Sequence, residues 1–203
     1  MSAGFMDGQE KIFSGVINIQ NVQHPICVAD TLQQNEHSVL SGEMSTQFAH
    51  KFGFENYNPL TKERLSEFNS RKTGTTGTVG VVALDSNGYI TAGTSTGGIG
   101  GEAPGRVSDS PTVAGNYANQ YCGVSATGVG EHIVNSAVAA KIVTRVEDGM
   151  LLKKAVSKSI KEGKEKDSHF GVISISYTGD IITNKTKDTV FYAFHTGNEL
   201  KTF

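Results

Sequence analysis

Tryptophan is absent from the 203 residues, proline occurs four times and cysteine twice. Cys27 and Cys122 stand far apart and outside any Cys-x-x-Cys spacing. That argues against a disulfide framework or a cysteine zinc site and favours a reducing, cytoplasmic setting. An excess of one charge is also missing. Eighteen basic residues against twenty acidic ones leave a net charge of -2, which argues against a strongly basic nucleic-acid binder. No apolar run approaches the roughly 18 residues of a membrane-spanning helix. The opening residues, Met1-Ser-Ala-Gly-Phe-Met-Asp-Gly8, carry no basic stretch followed by an apolar one, so no signal peptide is expected.

What the chain does have is glycine, 24 residues of it, and enough apolar residues, 37%, to build a core. At about 150 residues per domain, a single domain spanning 1–203 is the expectation. The glycines crowd between Gly74 and Gly130, and they divide the chain into three zones. In the first, residues 12–19 read as a strand. Pro25 suits the first position of a helix running towards Leu32, and residues 43–52 read as a second helix. The polar stretch 56–77 lacks apolar periodicity and reads as an exposed, mobile linker. From Thr78 the run Val79, Val81, Val82, Ala83, Leu84 predicts a strand buried on both faces. Asp85-Ser-Asn-Gly88 predicts a hairpin turn returning over 89–94, followed by a Gly/Ser/Thr loop over 95–110 and a strand over 121–126. In the last zone, Val134, Val138, Ile142 and Val146 predict one helix over 131–147. Leu152, Val156 and Ile160 predict another, with Gly149 as the cap between them. A hairpin over 171–183 and a strand over 190–195 complete an α+β pattern.

One junction carries chemistry. A polar segment ends at Gly77, and a core strand opens on the hydroxyl residue Thr78. Taken alone this is an ordinary loop-to-strand boundary. It is also where a self-cleaving precursor would place its scissile bond. Breaking Gly77–Thr78 would leave Thr78 with a free α-amine able to serve as base for its own hydroxyl. Such an amine titrates near 7.7–8.0, so roughly a tenth to a fifth is neutral at pH 7.

Five ordered motifs add to that junction: Thr78-Val-Gly-Val-Val-Ala-Leu-Asp85, Thr94-Ser-Thr-Gly-Gly98, Gly105-Arg-Val-Ser-Asp-Ser-Pro111, Tyr117-Ala-Asn119 and Ala126-Thr-Gly-Val-Gly-Glu131. In this order and spacing the chain closely resembles the plant-type L-asparaginase and isoaspartyl peptidase family, which are threonine N-terminal-nucleophile (Ntn) hydrolases. The likeness extends downstream through Phe170-Gly-Val-Ile-Ser174 and upstream through Met6-Asp-Gly8, Pro25-Ile26 and residues 42–54. The resemblance implies that Thr78 is the autoprocessing nucleophile and Thr96 the second threonine beside it. It implies that Arg106 and Asp109 hold a substrate's carboxylate and ammonium, and that Thr127 and Gly128 form the oxyanion hole. Ser108 and Phe170 stand where glycine is usual.

The implied fold is a four-layer αββα Ntn-hydrolase sandwich. Family precursors carry about a hundred further residues before the part matching Met6-Asp7-Gly8, so the sandwich is expected to be N-terminally truncated, with unpaired sheet edges. Residues 1–77 would be the remnant of an alpha subunit and 78–203 the beta subunit. The implied function is hydrolysis of L-asparagine and of β-aspartyl peptides by a homodimer of cleaved protomers, with no metal, organic cofactor, nucleic acid or membrane involved. Glycosylasparaginase activity, or an uncleaved and inactive relative, are the alternatives. Other signals carry less. Gly98 to Arg106 lacks the Lys-Ser/Thr of a phosphate loop. The six histidines show no metal-binding spacing. The lysines at 153–166 are interrupted by acids and read as a solvated face.

Overall fold

The computed structural model describes residues 1–70, 77–187 and 190–203. In chain order the elements are β1 (Ser2–Asp7), β2 (Ile12–Ile17), α1 (Pro25–Leu32), β3 (Val39–Ser41), α2 (Gly42–Lys51), α3 (Lys62–Asn69), β4 (Thr78–Leu84) and β5 (Ile90–Thr96). There follow β6 (Asn116–Ala118), β7 (Cys122–Gly128), α4 (Gly130–Ser136), α5 (Val138–Glu147), α6 (Leu152–Glu165), β8 (Phe170–Ser176), β9 (Ile181–Lys185), β10 (Ala193–His195) and β11 (Leu200–Thr202). Helices and strands are mixed, as an α+β chain requires.

Two sheets organise the fold. One has the order β3-β2-β1-β5-β4, the other β6-β7-β8-β9, and β10-β11 is a separate hairpin. Helix α1 begins at Pro25, whose absent N–H costs nothing in a first turn, and packs on β1 and β2. There Val28, Ala29 and Leu32 meet Ala3 and Val16 in one apolar cluster. On the second sheet, α5 packs against β7 and α6 against β8 and β9. Ile142, Val143, Val156 and Ile160 close over Val124, Ala126 and Val172. The sheets face each other through a smaller cluster, Met6, Ile90, Ala92 and Ala118, with Val82, Leu84 and Ile175 packed on it.

Several expectations need correction. The stretch 56–77 is not all loop: Thr61 accepts a hydrogen bond from the Arg64 N–H and caps α3, which buries no residue. The rest of that stretch, 71–76, lies outside the described residues. The helix expected over 131–147 is two helices, because Ala137 takes a left-handed conformation, φ 46°. The restart is held from outside. The N–H groups of Ala139 and Ala140 donate to the carbonyls of Ala114 and Val113, giving the first turn of α5 the partners a helix start lacks. Strand β4 is not buried on both faces. It is the last strand of its sheet among the described residues, and Val79 and Val81 stand 71% and 59% exposed. The strand expected over 190–195 is reduced to β10, which pairs with an unforeseen β11.

Candidate active site

The Asp85–Gly88 turn fixes the geometry that follows. Asp85 Oδ1 accepts from the N–H groups of Asn87 and Tyr89, the Asp85 N–H donates to the Tyr89 carbonyl, and Gly88 takes φ 86°, open to glycine at no steric cost. From that closed turn the register runs Leu84↔Ile90, Val82↔Ala92, Gly80↔Thr94 and finally Thr78↔Thr96. A slip of one residue would turn Thr96 to the opposite face.

At the far end, the Thr78 hydroxyl donates to Thr96 Oγ1 at 3.4 Å, and Thr96 in turn donates to the Gly77 carbonyl at 3.3 Å. The Gly98 N–H donates to the same Thr96 oxygen at 3.1 Å. These are long contacts for hydroxyls. Thr96 therefore touches both the hydroxyl of Thr78 and the carbonyl of the peptide bond that precedes it.

Thr78, Thr96, Arg106, Asp109 and Gly128 line one cavity of about 10 Å³, together with Gly98, Ile99, Ser108 and Gly130. That is room for about one water molecule. Five of the residues singled out in the sequence therefore converge. Gly77 is outside the lining but bonded to it through Thr96. Thr127 is also outside the lining. It is half-buried, one residue before Gly128, on the face of β7 that alternation turns towards β4 and β5. Gly128 has φ 141°, and a Cβ there would sit 2.5 Å from the His169 carbonyl oxygen and 2.7 Å from Phe170 Cα. Only glycine fits.

The two charged residues are opposites. Arg106 is saturated on one side. Its Nε and one terminal nitrogen donate to Glu131 at 2.7 and 3.1 Å, and the other terminal nitrogen donates to Glu102 at 2.8 Å. Three of its five N–H groups are spent, leaving two for a ligand. The Glu131 carboxylate holds the guanidinium firmly protonated, and Arg106 in return holds Glu131 below the usual carboxylate range. Asp109 is 5% exposed, and its Oδ2 has no hydrogen-bond partner among the described residues. Burial pushes its pKa up to about 6, against the opposing pull of its own backbone N–H and of Arg106.

Glu102 and Glu131 were not singled out as partners of Arg106. The spacing of Glu102, four residues before Arg106, was the available signal. Glu131 closes a motif already quoted. Among the described residues no group of three or more His, Cys, Asp or Glu is placed to hold a metal ion, and no helix is long and apolar enough to cross a membrane. A larger hollow of about 330 Å³ lies between β4 and the β8-β9 edge, lined by Val82, Leu84, Ile175 and Phe194 among others. Ser174, Thr183, Tyr192 and His195 also line it, and it shares no residue with the smaller cavity.

Known proteins place this arrangement in context. The chain is 42% identical to an isoaspartyl peptidase/L-asparaginase of Synechocystis sp., over 98% of this chain and 67% of the relative. It is 41% identical to the protein of the same description from Nostoc sp., over 98% and 70%. It is 33% identical to the plant-type L-asparaginase of Pyrococcus horikoshii, over 96% and 72%. The profile of the family described as asparaginase matches residues 1–76 and 67–203. With both ranges matched, and with three relatives at least 33% identical of which the chain covers two thirds or more, the chain belongs to this asparaginase family.

Proposed function

We propose that the chain is an amidohydrolase that cleaves L-asparagine to aspartate and ammonia and hydrolyses β-aspartyl peptides, with Thr78 as nucleophile. The observation that carries this reading is the Thr78–Thr96–Gly77 chain of hydrogen bonds at the mouth of β4. The names of the relatives support the substrate class.

The first step is self-cleavage. Thr78 Oγ attacks the Gly77 carbonyl carbon while Thr96 polarises the carbonyl oxygen. The peptide C–N bond breaks as an ester forms, and the hydroxyl proton goes to the departing nitrogen. Water then hydrolyses the ester, leaving a free α-amine on Thr78. That group, with an ordinary pKa of 7.7–8.0, takes the proton of its own hydroxyl in the second reaction. Thr78 Oγ attacks the side-chain amide carbon of the substrate, and the Thr127 hydroxyl and Gly128 N–H stabilise the oxyanion. One such donor is typically worth about 2.7–4 kcal/mol in a transition state. Ammonia or an amine leaves, and water releases aspartate. Arg106, through its two remaining N–H groups, grips the substrate carboxylate, and Asp109 takes the ammonium into its unpartnered oxygen. A cavity the size of one water cannot admit asparagine. We read it as the uncleaved state, a site that enlarges once Gly77–Thr78 is broken.

On the same reading the helix-covered sheets are the layers of an αββα Ntn-hydrolase sandwich, residues 1–77 and 78–203 become two subunits, and the cleaved protomers pair as a homodimer. The test is intact mass after prolonged incubation, followed by ammonia release from asparagine and cleavage of a β-aspartyl dipeptide. Two fragments, 1–77 and 78–203, with both activities, are expected from the wild type and neither from Thr78→Ala. Cleavage or hydrolysis that survives Thr78→Ala overturns the assignment. Hydrolysis of N-acetylglucosaminyl-asparagine in place of asparagine would move the reading to the sister glycosylasparaginase activity.

A further inference from the structure

One repeat behind the reactive threonines lies a second pair of hydroxyls that the mechanism above does not use. Thr94 Oγ1 and Ser125 Oγ are 2.7 Å apart and buried, Thr94 at 1% exposure and Ser125 at 3%. They join the two sheets. Thr94 is on β5, two residues before Thr96, and Ser125 is on β7, two residues before Thr127. Strand alternation puts Thr94 on the same face as Thr96, and Ser125 on the same face as Thr127, about 7 Å along each strand. The third strand is held at the same point. Gly80 is the register partner of Thr94 and lies two residues after Thr78. A Cβ on Gly80 would run into Ser125 Oγ and stand 3.0 Å from its Cβ, so the backbone of β4 rests directly on the Ser125 side chain.

We infer that Thr94 and Ser125 are positioning residues: their hydroxyl bridge, seated against Gly80, sets the separation between the strand that carries Thr78 and the strand that carries Thr127 and Gly128. The inference rests on the function proposed above. Its physical content is the sensitivity of the chemistry to distance. The Thr78 oxygen and the oxyanion donors belong to different sheets, and a misplacement of about 1 Å between such groups can cost on the order of a hundredfold in rate. A Thr–Ser bridge one repeat away is a bond between the sheets that resists such a shift. Both hydroxyls are buried, so each needs the other. Removing one strands its partner, whereas removing both leaves no unmet polar group.

That difference separates positioning from simple stability. The variants are Ser125→Ala, Thr94→Val, the double variant and Thr94→Ser. The measurements are thermal midpoint, self-cleavage rate by intact mass, and the KM and kcat of ammonia release. Each of Ser125→Ala and Thr94→Val is expected to lower both the midpoint and the rates. The double variant is expected to recover the midpoint but still to cleave itself and turn over at least about tenfold more slowly, with KM changed by less than about twofold. Thr94→Ser, which keeps the bridge, is expected to retain the rates. A double variant with wild-type midpoint and wild-type rates overturns the inference, because the pair would then be only structural. Should the double variant not fold, Thr94→Ser decides: a rate as low as that of Thr94→Val overturns the inference, and a retained rate upholds it. A wild type that neither cleaves itself nor hydrolyses either substrate is a different result. It removes the proposed function, and this inference with it.

Discussion

Thr78 opens a strand at the edge of its sheet, with Val79 and Val81 exposed on the outer face. The strand opposite, β7, lies inside the other sheet between β6 and β8, and Cys122 through Ala126 are all buried. Its apolar side, Val124 and Ala126, lies in the apolar cluster under α5. On the proposed function, the attacking group would sit on the less constrained strand and the oxyanion donors on the more constrained one. Such a division would suit a site that first rearranges at Thr78, with Gly77 separating from it, while the frame around the oxyanion stays fixed. A preorganised donor is worth most when it does not move during reaction.

The comparison is tested most severely at its glycines. At Gly128 an added methyl would meet main-chain atoms, the His169 oxygen and Phe170 Cα, in a backbone conformation that other residues rarely adopt. Neither neighbour can swing aside, and Gly128→Ala is expected to cost about 3 kcal/mol or more and to abolish hydrolysis. At Gly80 the added methyl meets only the Ser125 side chain, from a strand with one free edge. Gly80→Ala is expected to cost about 1–2 kcal/mol. Denaturant midpoints of the two variants provide the check. Equal losses would mean that β4 is held as tightly as β7.

The loop that joins β5 to β6 carries the next effect, and it has the opposite sign. Asp109 has an ordinary carboxyl pKa of 3.8 when unfolded and about 6 when folded, because burial disfavours its charge. The folded chain therefore binds the proton more tightly. The stability this brings is complete below pH 3.8 and is lost as the pH rises through 6. At pH 8 the fold carries a buried, half-partnered carboxylate. Asp109→Asn, which mimics the neutral form, is expected to raise stability by on the order of 2 kcal/mol at pH 8 and by almost nothing at pH 3.5. The same change should raise the KM for asparagine sharply, since the ammonium loses its anion. A stability gain that is equal at both pH values would show that the charge of Asp109 is not what the fold opposes.

Local chemistry explains what the sequence could reveal of all this. The Asp85–Gly88 turn was legible because the Asp carboxylate bonds the backbone beside it and Gly supplies a positive φ, and the register it closes brings Thr78 to Thr96. Residues with no such local signature were missed. Ser2-Ala-Gly-Phe-Met-Asp7 has neither alternation nor branched side chains, and β1 is a strand because β2 and β5 pair with it on either side. The break at Ala137 was invisible because its cause is a pair of carbonyls at 113–114, more than twenty residues away. In the site, Thr78, Thr96, Arg106, Asp109 and Gly128 were named in advance and converge on one cavity. The pairing of Arg106 with Glu131 has no local signature, since Glu131 reaches it only through the path of the 97–110 loop. The exposed face of β4 was misread for a simpler reason. A run of valines looks the same whether or not another layer covers it.

That last ambiguity supplies the smallest effect and the most direct comparison of the two strands. Val81 on β4 and Val124 on β7 are the same residue type in the same secondary structure, one 59% exposed and the other fully buried. Valine to threonine keeps the branched shape and exchanges a methyl for a hydroxyl, so the change isolates burial. At Val124 the hydroxyl would enter the apolar cluster under α5 with no partner there, at an expected cost of about 1–2 kcal/mol. At Val81 it would face water, and the expected change is within about 0.5 kcal/mol of zero. Both are read from denaturant midpoints at constant slope. A loss at Val81 comparable to that at Val124 would mean that the outer face of β4 is covered in solution, and the contrast between a yielding nucleophile strand and a fixed oxyanion strand would fail.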